Sequence, residues 1–139
     1  MNNDLGPEKI VSIMFENDLF SKWLGISILH VSNGKCILEM IVKKEMLNGF
    51  LIAHGGITYS LADSCLAFAA NSHGIKCVSK ETSINHLKKV NVNDTLMAKS
   101  IEKMITKKSA VYEILVTNQL NDVVAKFSGT VHRTNNVWE

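Results

Sequence analysis

Residues 54–74 read HGGITYSLADSCLAFAANSHG. The run is long, apolar and free of proline, and it predicts a single helix. It opens on the pair Gly55-Gly56 and closes at Gly74, a residue suited to the left-handed position that ends helices. Leu61, Ala62, Cys65, Leu66, Ala67, Phe68, Ala69 and Ala70 make it apolar nearly all round. Such a helix belongs inside a protein rather than on its surface. One carboxylate, Asp63, stands in the middle of that apolar run. Burial opposes its ionisation, so its presence needs a reason.

The flanking segments say what the helix packs against. Gly6-Pro7 followed by EKIVSIMFEN (8–17) starts a short helix, with Ile10, Ile13 and Met14 on one stripe. From FSKWLGI (20–26) the pattern reads as extended, through Ile26, Ile28 and LHV, to a stop at SNGK (32–35). Asn33-Gly34 is a hairpin signal because both central positions tolerate positive φ, and KCILEMIV (35–42) returns as the second strand. Residues 44–53 form a connecting loop that carries Asn48-Gly49. After the long helix, extended segments are expected near 77–87, 95–105, 110–120 and 123–133. The polar stretches VNVND, TKKS and LNDV separate them. One buried helix with about six strands and no βαβ alternation implies an α+β fold, a sheet curled around a central helix.

The totals bound the function. The chain has 139 residues, enough for one domain spanning 1–139. Its 46% hydrophobic and 20% charged content is that of a globular domain. So short a chain buries a limited share of its surface, which leaves room for a core shared with a second copy. The net charge of +2 and the 6% of aromatic residues do not suit a nucleic-acid partner. No apolar run reaches the roughly 18 residues that cross a bilayer, and MNNDLGPEKI lacks the basic start of a secretory leader. Cys36, Cys65 and Cys77 are odd in number and form no C-x-x-C pair. They read as reduced thiols of a cytoplasmic protein.

Two features of the helix carry chemistry. At its start the first amide N–H groups have no internal partners, and Gly55-Gly56 lets another group approach the backbone closely. Such a place holds an oxyanion or polarises a carbonyl. Asp63 is either an acid hydrogen-bonded within the fold or a general base or nucleophile tuned by its apolar setting. Gly56 and Asp63 lie seven residues apart, hence on nearly the same helix face but roughly 10 Å apart along the axis. One small carbonyl cannot touch both within one chain. Two chains with antiparallel helices would bring Gly56 of one opposite Asp63 of the other, so a shared site predicts a dimer. Asn48 offers an amide able to orient a water, or is an ordinary turn residue. His54 either holds the loop or meets a substrate. No metal-ligand spacing, G-x-S-x-G elbow or phosphate-binding glycine loop is present.

MLNGFLIAHGGITYSLADSCLAFAANSHG (46–74) closely resembles the signature of the hotdog-fold acyl-CoA thioesterases of the PaaI type, the phenylacetate-degradation group. The likeness extends through ENDLFSKWLGI and GKCILEMIV before it, and through INHLKKVNVNDTLMAKS and FSGTVHRT after it. The resemblance implies a hotdog fold and dimers paired into homotetramers, with active sites at the dimer interface. It implies hydrolysis of an acyl-CoA such as phenylacetyl- or hydroxyphenylacetyl-CoA to free acid and CoA, without metal or cofactor. It assigns the polarising N–H to Gly56, the nucleophile or base to Asp63 of the facing chain, and carbonyl or water placement to Asn48. It adds a polar residue of the following strand, Ser79, or Thr82 or Ser83 in a shifted register; His54 and Gly55 stand beside these as candidate substrate contacts. Lys88 and Lys89 face the coenzyme A phosphates or lie solvated at a strand end. The chain departs from the pattern at Val90, where relatives commonly carry proline in a substrate-side loop. Two other readings stand beside this one. The first is a hydroxyacyl-thioester dehydratase using His54 with Asp63; the second is a non-catalytic acyl-CoA binding protein.

Overall fold

The computed structural model describes residues 5–139; the first four, on which the reading of no leader partly rests, lie outside them. Helix α1 (Pro7–Asn17) starts with proline in its first turn, where a missing N–H costs nothing, and buries Ile10 and Val11. Strands β1 (Ser27–Ser32) and β2 (Lys35–Ile41) form the expected hairpin, with Gly34 at φ 73° in the turn. A single 3-10 turn (Lys44–Met46) leads to helix α3 (Gly55–Asn71), which Gly74 closes at φ 99°. Strands β3 (Ile75–His86), β4 (Thr95–Ile105), β5 (Ser109–Thr117) and β6 (Val123–Val137) follow.

The segment 20–26 departs from the extended reading. Residues Leu19–Trp23 form a short helix, α2. Asp18 caps it, accepting from the Ser21 N–H at 2.9 Å and from the Ser21 hydroxyl at 2.6 Å. Ser21 in turn meets the Ser64 hydroxyl of α3 at 2.8 Å. A cap and one buried serine fix these five residues, which are too few to show helical periodicity in sequence.

The six strands form one antiparallel sheet in the order β1-β2-β4-β5-β6-β3. It curls around α3. Alternation on the strands turns Cys36, Leu38 and Met40 of β2, and Ala110, Tyr112, Ile114 and Val116 of β5, into the core. There they meet Leu61, Cys65, Leu66, Phe68 and Ala69 of α3. A Cβ placed on Gly129 of β6 would stand 2.5 Å from Leu66 Cδ2, so glycine there sets how closely the helix lies on the sheet. The far end of α3 is tied down by His73, which meets the Glu102 carboxylate at 2.6 Å while the Tyr112 hydroxyl donates to the same oxygen at 2.8 Å. Strand β3 is twelve residues long, lies at the sheet edge and, among the described residues, pairs only with β6. The architecture is the α+β curled sheet with a central helix and a short N-terminal helix that the sequence implies.

Candidate active site

His54 precedes α3 in extended conformation, and its Nδ1 accepts from the Gly56 N–H at 2.9 Å. The ring therefore satisfies one of the orphan donors of the helix start. A Cβ on Gly56 would lie 3.0 Å from that nitrogen, which explains the glycine. The backbone around it is held by two loops, as the His54 N–H donates to the Met46 carbonyl and the Ala53 N–H to that of Val90, both at 2.8 Å. Val90 is itself buried, so packing holds this loop. The N–H that the resemblance assigns to the carbonyl, that of Gly56, is thus engaged by His54. The Gly55 amide has no acceptor among the described residues.

Asn48 is more than a turn former. Its Oδ1 accepts from Phe50 N–H at 2.9 Å and Ile52 N–H at 3.4 Å, which fixes the loop and leaves the amide NH2 free to donate. The left-handed residue of the loop is Leu51, at φ 61°, rather than Gly49. Asn48 and Gly55 line one cavity of about 360 Å³ together with Thr58, His86, Lys88 and Lys89. Lys88 is paired with Asp122 at 2.6 Å, and its ammonium holds the Asp122 carboxyl below the usual range. Lys89 has no carboxylate partner among the described residues.

Asp63 lies elsewhere. It is half-buried and lines a small cavity of about 50 Å³ with Ser79, Cys77, Asn71 and Val131. Among the described residues its carboxylate accepts no hydrogen bond, and burial pushes its pKa above the ordinary aspartate value. A raised pKa makes it a stronger base once ionised. Of the three candidate polar residues on β3, Ser79 shares this cavity, Thr82 meets the Tyr59 hydroxyl, and Ser83 faces solvent. The Asp63 cavity has no lining residue in common with the Asn48 and Gly55 cavity. His54 and Asp63 likewise do not converge within one chain, as a single-chain dehydratase pair would require.

Two features were not read from the sequence. A largely apolar recess of about 260 Å³, lined by Trp23, Leu24, Met46 and Ile57 with the charged Lys43 and Glu45 beside them, flanks the start of α3. It rests on α2, the element the sequence pattern concealed. His86, the last residue of β3, stands against Gly55: a Cβ there would lie 3.1 Å from its Nε2. The glycine pair was the available signal, since a helix that opens on two glycines leaves room for two neighbours.

With this geometry in place, the relatives are informative. Residues 50–125 match the Thioesterase superfamily model. The chain is 38% identical over 128 residues to a putative esterase of Archaeoglobus fulgidus, covering 92% of this chain and 83% of that protein. It is 39% identical over 120 residues to the acyl-coenzyme A thioesterase PaaI of Escherichia coli, covering 86% of each. The crystal structure of the E. coli PaaI protein superposes with a TM-score of 0.92 at 36% identity, covering 94% of this chain and 95% of that one. A Streptococcus mutans protein solved with acetyl CoA bound gives 0.79 at 29%, covering 81% and 91%. The chain belongs to the thioesterase superfamily, and its fold is the hotdog fold of the PaaI type.

Proposed function

We propose that this protein hydrolyses acyl-CoA thioesters to a free acid and CoA, in a site shared by two chains. The observation that carries the reading is the Asp63 carboxylate: half-buried, without a hydrogen-bond donor among the described residues, and raised in pKa by burial. A binding protein gains nothing from such a group. In this reading the Gly55 N–H and the Asn48 amide hold the thioester carbonyl of one chain's cavity. Asp63 of the facing chain, with Ser79 beside it, attacks the carbonyl or takes a proton from an attacking water. The separation of the two cavities and the unpaired edge of β3 support a dimer, since an exposed edge is a ready surface for a like strand. Pairing of dimers into tetramers follows the family pattern. Light scattering reads both steps.

In this reading the acyl group enters the recess of Trp23, Leu24, Met46 and Ile57, whose side chains, with Lys43 and Glu45 beside them, suit an aromatic acid such as phenylacetate or its hydroxylated relative. Lys89 is the cation available to the coenzyme A phosphates. The proposed reaction draws on water alone, and three free thiols suit a cytoplasmic setting. Among the described residues no helix is long and apolar enough to cross a membrane. Thiol release from an acyl-CoA panel, by wild type and Asp63→Ala, tests the reading. The variant is expected to lose turnover, and unchanged turnover would overturn the mechanism. Crotonyl and hydroxybutyryl thioesters in the same panel separate hydrolysis from dehydration.

A further inference from the structure

The two glycines that open α3 each make room for an imidazole, and the two imidazoles differ in what they do. His54 lies against Gly56 and is consumed by it, since Nδ1 accepts the Gly56 N–H. His86 lies against Gly55 and has no side-chain hydrogen bond to any described residue. Its ring presents the Nε2 end to the helix: measured from the Cβ position of Gly55, Nε2 is at 3.1 Å, Cε1 at 3.3 Å and Cδ2 at 3.8 Å. In a helix both the Cβ direction and the N–H point toward the N-terminus. Nε2 of His86 therefore sits off the same end of α3 as the Gly55 amide, and both residues line the cavity that contains Asn48.

Resting on the thioesterase reading above, we propose that His86 Nε2–H is a third donor to the thioester carbonyl oxygen, beside the Gly55 N–H and the Asn48 amide. The carbonyl oxygen gains negative charge as the tetrahedral intermediate forms, and a donor fixed at that oxygen stabilises the charge where it develops. The orientation of the ring argues for this oxygen rather than for a coenzyme A phosphate. Its nitrogen faces the helix start, whereas the free cation of the cavity, Lys89, lies three residues further along the chain. The position of His86 on the last residue of β3, fixed opposite Ala125 of β6, gives the donor a rigid base.

The test compares wild type with His86→Phe, which fills the same space without a donor, and His86→Gln, which restores an N–H. Each is assayed on an acyl-CoA and on the corresponding acyl-pantetheine, which has no nucleotide phosphates. The proposal expects His86→Phe to lose about 10- to 100-fold in kcat, with KM changed less than about threefold, equally on both thioesters. His86→Gln is expected to recover most of that loss, and both variants to melt like wild type, because the ring is exposed. Retention of wild-type kcat by His86→Phe would overturn the proposal. So would an equal loss in His86→Gln, or a loss confined to the CoA thioester. A wild type that releases no thiol from any substrate removes the thioesterase reading itself, and this proposal with it.

Discussion

The Gly56 amide donates to Nδ1 of His54 at 2.9 Å, so the residue before the helix caps the second amide and leaves the first, on Gly55, open to the cavity. The cap selects the donor. Removing it in His54→Ala should cost about 1 kcal/mol of stability, read as a fall in melting temperature of about 3–5 °C. Activity should fall less than on loss of Asp63, because the Gly55 amide remains.

Asp63 has opposite effects on stability and catalysis. Its folded pKa lies above its unfolded value, so the folded state is penalised progressively as pH rises through that window. Asp63→Asn removes the charge. It should melt at or above the wild-type temperature at pH 7 while losing about 10²–10⁴-fold in kcat. The same shift places the acid limb of kcat/KM above the ordinary aspartate range of about 3.9. A pH–rate profile flat down to that value would contradict the assignment.

Gly129 is a packing residue. An added methyl would press on Leu66, which α3 buries against the sheet. Gly129→Ala should destabilise by about 1–3 kcal/mol. Combined with Leu66→Ala it should cost less than the two changes summed, because the contact is shared. Urea midpoints of the four proteins give the coupling directly.

A site built from two chains predicts complementation. Asp63→Asn leaves Asn48 and Gly55 intact, and Asn48→Ala leaves Asp63 intact. Unfolding the two inactive proteins together and refolding the mixture should restore about a quarter of wild-type turnover, since half of randomly paired dimers are mixed and each holds one intact site of two. No recovery would place Asp63 and Asn48 on one chain's substrate.

The parts legible in sequence were those with local causes. The Asn33-Gly34 turn set its hairpin because its second position takes positive φ, which Gly34 supplies, and the apolar circumference of residues 61–70 placed α3 inside the sheet. Residues Leu19–Trp23 escaped because a cap from Asp18 and a bond from Ser21 to Ser64, 43 residues away, make that helix, and no five-residue pattern encodes such a contact. At the site, Asn48, Gly55, Asp63 and Ser79 were singled out in sequence, and the structure distributes them between two cavities. Which glycine amide is free, and which lysine is paired, depends on His54 and Asp122 side chains whose directions are tertiary facts.

The hydrophobic core closes within one chain, from Val11 to Val131, whereas the two cavities do not. Folding and competence are therefore separable. On serial dilution the circular dichroism should stay that of a folded protein while turnover per chain declines, and the concentration of half-maximal specific activity would report the subunit affinity without any label.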